Sequence, residues 1–375
     1  MFILTTNQPT EKGKRIIMSS ISKLNRRKFL TAGTGVAMGI TLLPYKSMAA
    51  EEKKMNLYSW DSYLGENTLA EFKDATGVEV KLDLYGSNDE LFAKLKAGNP
   101  GYDVVIPSSN WIQRFVKAGM LMPLDHGKIP NIKNYDKAFM DGEFDPGRKH
   151  SLAYVWGTFG IGYRKSKAKT APDSWKYLLD STDYDGRISI QADQEYALGS
   201  ALQYLGYSWN STNAKELAKA KDLLISAKKH IKLFAKDNGD SLLASGDVDI
   251  CSEFSGDVLG QMRSDTTNDL NYILPKEGGN SWQDTMAIAK GAPHPENAHK
   301  YINYICDVKV NAALMAAINY PTPNAAAKAT MSDEYKSNPI IFPSAAQLKK
   351  AEPSKYLGED ATAAREEIWT AIQAA

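Results

Sequence analysis

The stretch Met55-Asn56-Leu57-Tyr58-Ser59-Trp60-Asp61-Ser62-Tyr63, followed by Val78 to Tyr85 and by Tyr102-Asp103-Val104-Val105-Ile106-Pro107-Ser108, decides the fold. Three short runs rich in β-branched and aromatic residues alternate with two segments of helical periodicity, near Glu66 to Ala75 and from Asn88 to Ala97. The second helix carries its own punctuation: Ser87 and Glu90 stand at capping-box spacing, Leu91 and Leu95 share a face, and Gly98 stands where the helix stops. The pattern is β-α-β-α-β with short links, the opening of an α/β fold.

Working outward, alternation resumes after Arg187. A strand is predicted over Ile188 to Gln191, helices near Glu195 to Leu205 and Ala214 to Lys229, then strands over Ile231 to Ala235, Gly246 to Ser252 and Leu270 to Leu274. Between the two units, Ser151 to Tyr163 reads as an extended segment crossing from one lobe to the other, and the apolar run near Trp282 to Ala289 as a second crossing. Helices over Pro295 to Cys306, Val308 to Asn319 and near Ala361 to Ala374 are expected to pack back onto the first lobe. This gives a first lobe over 50–160, completed by about 288–375, and a second over 161–287.

The N-terminal segment stands apart. Asn25-Arg26-Arg27-Lys28-Phe29-Leu30 precedes a weakly apolar run to Leu43 and a small-x-small pattern at Ser47-Met48-Ala49, so residues 1–49 read as a signal peptide of the twin-arginine type, with Met18 as a candidate start. The whole chain has 375 residues with 45 basic and 44 acidic side chains; beyond residue 49 it carries 37 against 43. That acidic balance disfavours nucleic acid and tolerates a cationic ligand.

Enzyme signatures are missing: there is no Gly-x-Ser-x-Gly, no Walker A motif and no His-Glu-x-x-His, and the five histidines are scattered. No cofactor and no metal site are expected. His294 and His299 read as surface residues. Cys251 and Cys306, the two cysteines, are read as buried thiols, with pairing in an oxidising compartment as the alternative.

Chemistry gathers instead where aromatic residues adjoin carboxylates: Trp60-Asp61-Ser62-Tyr63, Phe254-Ser255-Gly256-Asp257 and Trp282-Gln283-Asp284. Each follows a predicted strand, the position at which open α/β sheets bind ligands, as does Ser108. A linear polyamine carries ammonium groups on an apolar stem. It needs carboxylates for the charges and ring faces for the stem, each cation–π contact adding about 0.5 to 2 kcal/mol. Taken singly, each such pair is more often part of a core.

At Leu57 to Tyr63, Tyr102 to Ser108, Pro275-Lys276-Glu277-Gly278-Gly279 and Tyr320-Pro321-Thr322-Pro323-Asn324 the chain resembles the periplasmic spermidine/putrescine-binding proteins, over essentially all of residues 55 to 345. The resemblance implies a type II periplasmic-binding-protein fold, two α/β lobes joined by a hinge with the ligand cleft between them. It implies capture of putrescine or spermidine in the periplasm by a monomer and delivery to the membrane permease of an ABC transporter. Carried over by position, Trp60, Tyr63 and Tyr320 become ring walls, Phe254 stands where the family has Trp, and Ser108 is a polar contact. Asp193 and Glu195 face an amine or else simply begin a helix; Asp257 lies nearby, and Trp282 with Asp284 forms the principal ring and counter-charge. The family's acid directly before the Tyr is here replaced by Ser62, with Asp61 one position earlier, which could turn the charge away from the cleft. Two further readings stand beside this one: a polyamine-sensing protein acting on a membrane receptor, and a solute-binding protein for another ligand such as ferric iron.

Overall fold

The structure, a computed structural model, describes residues 51–375; the signal-peptide reading lies outside them. In chain order the strands are β1 (Lys54–Ser59), β2 (Glu79–Leu84), β3 (Val104–Val105), β4 (Leu121–Met122), β5 (Ser151–Arg164), β6 (Ile188–Gln191), β7 (Ile231–Ala235), β8 (Ile250–Phe254), β9 (Leu270–Ile273), β10 (Asn280–Ala289) and β11 (Glu352–Pro353). The helices are α1 (Thr68–Thr76), α2 (Asn88–Lys96), α3 (Ser109–Lys117), α4 (Lys176–Leu179), α5 (Gln194–Tyr204), α6 (Ala214–Ala227), α7 (Gly239–Ser245), α8 (Ser255–Ser264), α9 (Pro295–Ile305), α10 (Val308–Ile318), α11 (Ala325–Thr330), α12 (Asp333–Ser337), α13 (Ala345–Lys350) and α14 (Glu359–Ala374).

The strand order β2-β1-β3-β10-β5-β8-β6-β7 shows how two α/β units share one sheet. At one end β1 lies parallel between β2 and β3, and at the other β6 lies parallel between β7 and β8. Antiparallel β5 and β10 join them. β5 pairs with β10 through residues 151–159, then with β8 and β9 through residues 159–164, so one strand of 14 residues serves both units. Side chains alternate along β1 between two packed faces: Met55 and Leu57 enter the main core, whereas Tyr58 stacks on Tyr102 at 4.3 Å in a second cluster on the opposite face.

Local chemistry explains the helix starts. Ser87 accepts a hydrogen bond from the Glu90 amide at 3.2 Å, as the capping-box spacing implies. The Glu90 carboxylate closes on the Gly86 amide at 3.1 Å and on the Tyr58 hydroxyl at 3.0 Å, tying the helix to the second cluster.

Three expectations are corrected. His294 and His299 are buried, not surface groups: the His294 amide donates to Asp103 Oδ1 at 2.6 Å with its ring 3.0 Å from Oδ2, and His299 Nε2 accepts from the Asp125 amide. Each ring satisfies a polar group at a chain crossing, which polar neighbours in sequence do not reveal. The C-terminal helix packs mainly against α5 and α6 of the second unit and touches the first only at its start, where Arg114 donates to Glu359 at 2.9 Å. Its Trp369 ring lies 5.2 Å from Phe234, and Lys228 donates to the carbonyls of Ile372 and Gln373 at its end. Finally, the predicted strand beginning at Gly246 starts at Ile250, because Gly246 terminates α7 in the left-handed conformation. Both cysteines are buried free thiols, Cys306 beside Tyr135 and Cys251 in a separate apolar cluster.

Candidate functional site

A cavity of about 700 Å³ opens where the carboxyl ends of both parallel units converge. Trp60 to Tyr63 follow β1, Ser87 to Asp89 follow β2, Ser108 follows β3, Asp193 to Tyr196 follow β6, Asp237 follows β7, and Phe254 with Asp257 ends β8. The antiparallel strand β10 supplies Trp282 and Asp284, and Tyr320 comes from the loop after α10. All twelve residues singled out in the sequence line this one space.

Asp284 lies on β10 beside an irregularity in its partner strand. The pairing of β10 with β5 shifts register between Asp284 and Thr285, where β5 carries the extra residue Tyr154. Asp284 is 4% exposed, accepts the Tyr63 hydroxyl at 2.6 Å and faces Ser108 across an isolated bridge. Burial pushes its carboxyl up to about 6, with the Ser108 and Tyr63 hydrogen bonds opposing.

The first motif ends its strand before the acid. β1 stops at Ser59, and Ser62 takes a φ of 58°, so Asp61 and Ser62 form a turn on the cavity wall, with Asp61 exposed. Asp61 therefore lies beyond the regular strand, where side chains no longer alternate between faces.

Five rings make a continuous floor. Centroid separations run 6.4 Å from Tyr63 to Tyr320, 5.1 Å to Trp282, 5.7 Å to Phe254 and 5.0 Å to Tyr196. Trp282 leaves its indole Nε1 without a partner.

Around this floor stand eight carboxylates, Asp61, Asp89, Asp193, Glu195, Asp237, Asp240, Asp257 and Asp284, against one cation, Lys236. Asp193 caps α5, accepting the Glu195 amide at 2.7 Å, and is pushed up to about 6 by burial and by Glu195. Burial raises Glu195 too, against the pull of Ser354, the buried Arg365 guanidinium of α14 and Asn110, whose amide donates at 2.9 Å. Asp257 is raised furthest, to about 8, by burial and by Asp237, although Tyr320 faces it. Asp193, Asp257 and Asp284 are held up chiefly by burial, with no cation beside them to oppose it.

Sequence reasoning missed Asp237, Asp240, Asp89, Tyr196 and Asn110. Asp237-Asn238-Gly239-Asp240 directly follows the strand that was read correctly, so the same strand-end rule could have found it. Asp89 sits in the first turn of α2 and reads as an ordinary helix start.

The raised Asp257 carboxyl gives a stability prediction. Its folded value lies above the ordinary 3.8, so its contribution to stability falls as pH rises from about 4 to about 8 and is constant outside that window. Asp257→Asn removes that loss: in ligand-free protein its melting temperature matches wild type near pH 4 and exceeds it by at least ~3 °C at pH 8. A constant difference across pH would contradict the assignment.

A cleft between two α/β units, entered by two shared antiparallel strands and lined by strand ends from both, defines a two-lobed ligand-binding protein. The chain belongs to the bacterial extracellular solute-binding protein family, whose model matches residues 67–343. It is therefore a binding component and not an enzyme. It is 33% identical to the putrescine-binding periplasmic protein SpuD of Pseudomonas aeruginosa over 343 residues, 87% of this chain and 94% of that one. With the putrescine-binding periplasmic protein PotF of Escherichia coli it shares 30% over 370 residues, covering 94% and 99%. Among solved structures it resembles the spermidine/putrescine ABC transporter substrate-binding protein PotD of Streptococcus pneumoniae, in complex with calcium and HEPES. There the TM-score is 0.76 at 29% identity, over 86% of this chain and 99% of that one. These neighbours share the type II periplasmic-binding fold. Among the described residues no helix is long and apolar enough to cross a membrane.

Proposed function

We propose that this chain captures a linear polyamine, putrescine or spermidine, in the periplasm and, as a monomer, hands it to the membrane permease of an ABC importer. The observation that carries the reading is the imbalance of the cleft, eight carboxylates against one lysine over a floor of five rings. Ammonium groups are the natural counter-ions for such a set, and methylenes the natural partners for the rings. The names of the relatives point the same way. In this reading Trp60, Asp61, Ser62, Tyr63, Ser108, Asp193, Glu195, Phe254, Asp257, Trp282, Asp284 and Tyr320 contact the ligand.

The two lobes, 50–160 with most of 288–375 and 161–287 with the C-terminal helix, close on the amine by bending where β5 and β10 cross. Permease recognition then follows closure, as in hinged binding proteins generally.

Titration of tryptophan fluorescence tests this. Trp60 and Trp282 line the cavity, so putrescine or spermidine changes the emission saturably, whereas 1,4-butanediol, which lacks charge, does not. Affinity falls as pH drops from 8 to 5, because protonation of Asp257 and then of Asp193 and Asp284 removes the counter-charges. An equal response to the diol, or affinity rising on acidification, would refute the reading.

A further inference from the structure

The chain from Glu352 to the start of α14 is rooted in the second lobe and reaches across to the first. At its root Glu352 accepts the Ser208 hydroxyl at 2.5 Å and the Trp209 amide at 2.9 Å. Asn210 donates to the Pro353 carbonyl at 2.9 Å and accepts the Lys355 amide at 3.0 Å, and α14 beyond lies on α5 and α6. The other side of this strap meets α3 of the first lobe. Arg114 Nη2 donates to Glu359 at 2.9 Å, and the Lys117 ammonium stands 4.7 Å from the centre of the Tyr356 ring. Lys355 Nζ lies 3.6 Å from Glu143, in the loop before β5.

Arg114 is held in place before it meets its partner. Its guanidinium lies 4.4 Å from the Phe92 ring and 4.8 Å from the Trp111 ring, and its side chain is 20% exposed. Glu359 is fixed as well, since its other oxygen accepts the Tyr356 hydroxyl at 2.8 Å. Two groups ordered in this way lose little freedom on pairing, which is the chief cost of an ordinary surface pair. None of Arg114, Lys117, Tyr356 and Glu359 lines the amine cavity. A separate small cavity of about 60 Å³, bordered by Arg114, Glu195, Tyr356 and Arg365, lies between the strap and that cleft. Every strap contact with α3 joins one lobe to the other, so opening about β5 and β10 breaks it. A contact made in only one of two states shifts their equilibrium by its own free energy.

We propose that residues 352–359 form a latch, in which Arg114 with Glu359 and Lys117 with Tyr356 engage on lobe closure and hold the closed form around its ligand. The inference rests on the closure and amine capture read above. Arg114 and Glu359 are positioning residues, acting through the closed geometry without touching the amine. The latch therefore governs release and leaves capture by the open form unchanged.

Stopped-flow tryptophan fluorescence on residues 50–375 with putrescine tests this. Glu359→Lys sets two cations against each other across the closing lobes; it raises the dissociation rate tenfold or more, with the association rate within twofold of wild type. Adding Arg114→Gln removes the repulsion and brings release back to within threefold of wild type, a rescue that a merely local role of Glu359 in α14 would not give. Release within twofold of wild type in Glu359→Lys overturns the inference and leaves the amine reading standing. Absence of rescue, or slower association with unchanged release, overturns it in the same way. Failure of wild-type protein to bind putrescine and spermidine overturns the reading beneath it as well.

Discussion

Asp284→Asn lowers polyamine affinity about thirtyfold or more, ~2 kcal/mol, while the protein stays folded. Asp284 is buried at 4% exposure and receives the Tyr63 hydroxyl at 2.6 Å. Asparagine keeps the shape and can still accept from Tyr63, so the local fold has no reason to collapse. What it removes is the charge opposite a desolvated ammonium, and a buried ion left without its partner costs several times what a surface pair contributes. Affinity within threefold of wild type in a folded variant would remove Asp284 from the site.

The second large effect falls on a residue that touches no ligand. Gly256, in the first turn of α8, lies under the Tyr320 ring: a Cβ there would sit 2.4 to 2.5 Å from three ring carbons. Gly256→Ala must therefore push Tyr320 off its seat, and Tyr320 cannot yield freely, since Trp282 stacks edge-on at 5.1 Å and Tyr63 at 6.4 Å. Overpacking of this kind costs typically 1 to 3 kcal/mol of stability. The displaced ring also leaves Asp257 and breaks the aromatic floor, so polyamine affinity falls about tenfold or more. A variant with wild-type melting temperature and affinity would mean the ring has room to move that the packing does not show.

The parts of this molecule that were legible in its sequence are those governed by local rules. The β-α-β-α-β opening is written in alternating periodicities, and Ser87 capping α2 is a contact between residues three apart. Most of the twelve cavity-lining residues follow strands, whose ends converge in an α/β sheet whatever the details of the loops, and the aromatic-acid pairs mark three of those ends; Asp193, Glu195 and Tyr320 were reached only through the family resemblance. The rest depended on long-range packing. The five-residue run Ile231 to Ala235 was read as a strand, but the acids after it look like a turn, and only the curl of the sheet brings Asp237 toward Asp257. Helix α8 starts on the residue after β8 with no intervening loop and carries Gly256 and Gly260, so it lacks the usual start signal and composition of a helix. The partner of α14 was illegible because any apolar stripe accepts the face bearing Trp369 and Ile372. What selects the second unit is Arg365, buried at 3% exposure and drawn to Asp193 and Glu195. His294 and His299 looked like surface groups because their partners, Asp103 and Asp125, lie more than 170 positions away.

The central claim is that the acidic, ring-floored cleft is a polyamine site, and the most direct measurement is isothermal calorimetry of residues 50–375 with spermidine and putrescine at pH 8 and moderate salt. The account predicts saturable binding of one amine per chain at micromolar Kd or tighter, about −8 kcal/mol or better. Heats no larger than dilution for both amines, from protein that is folded and melts cooperatively, would contradict it.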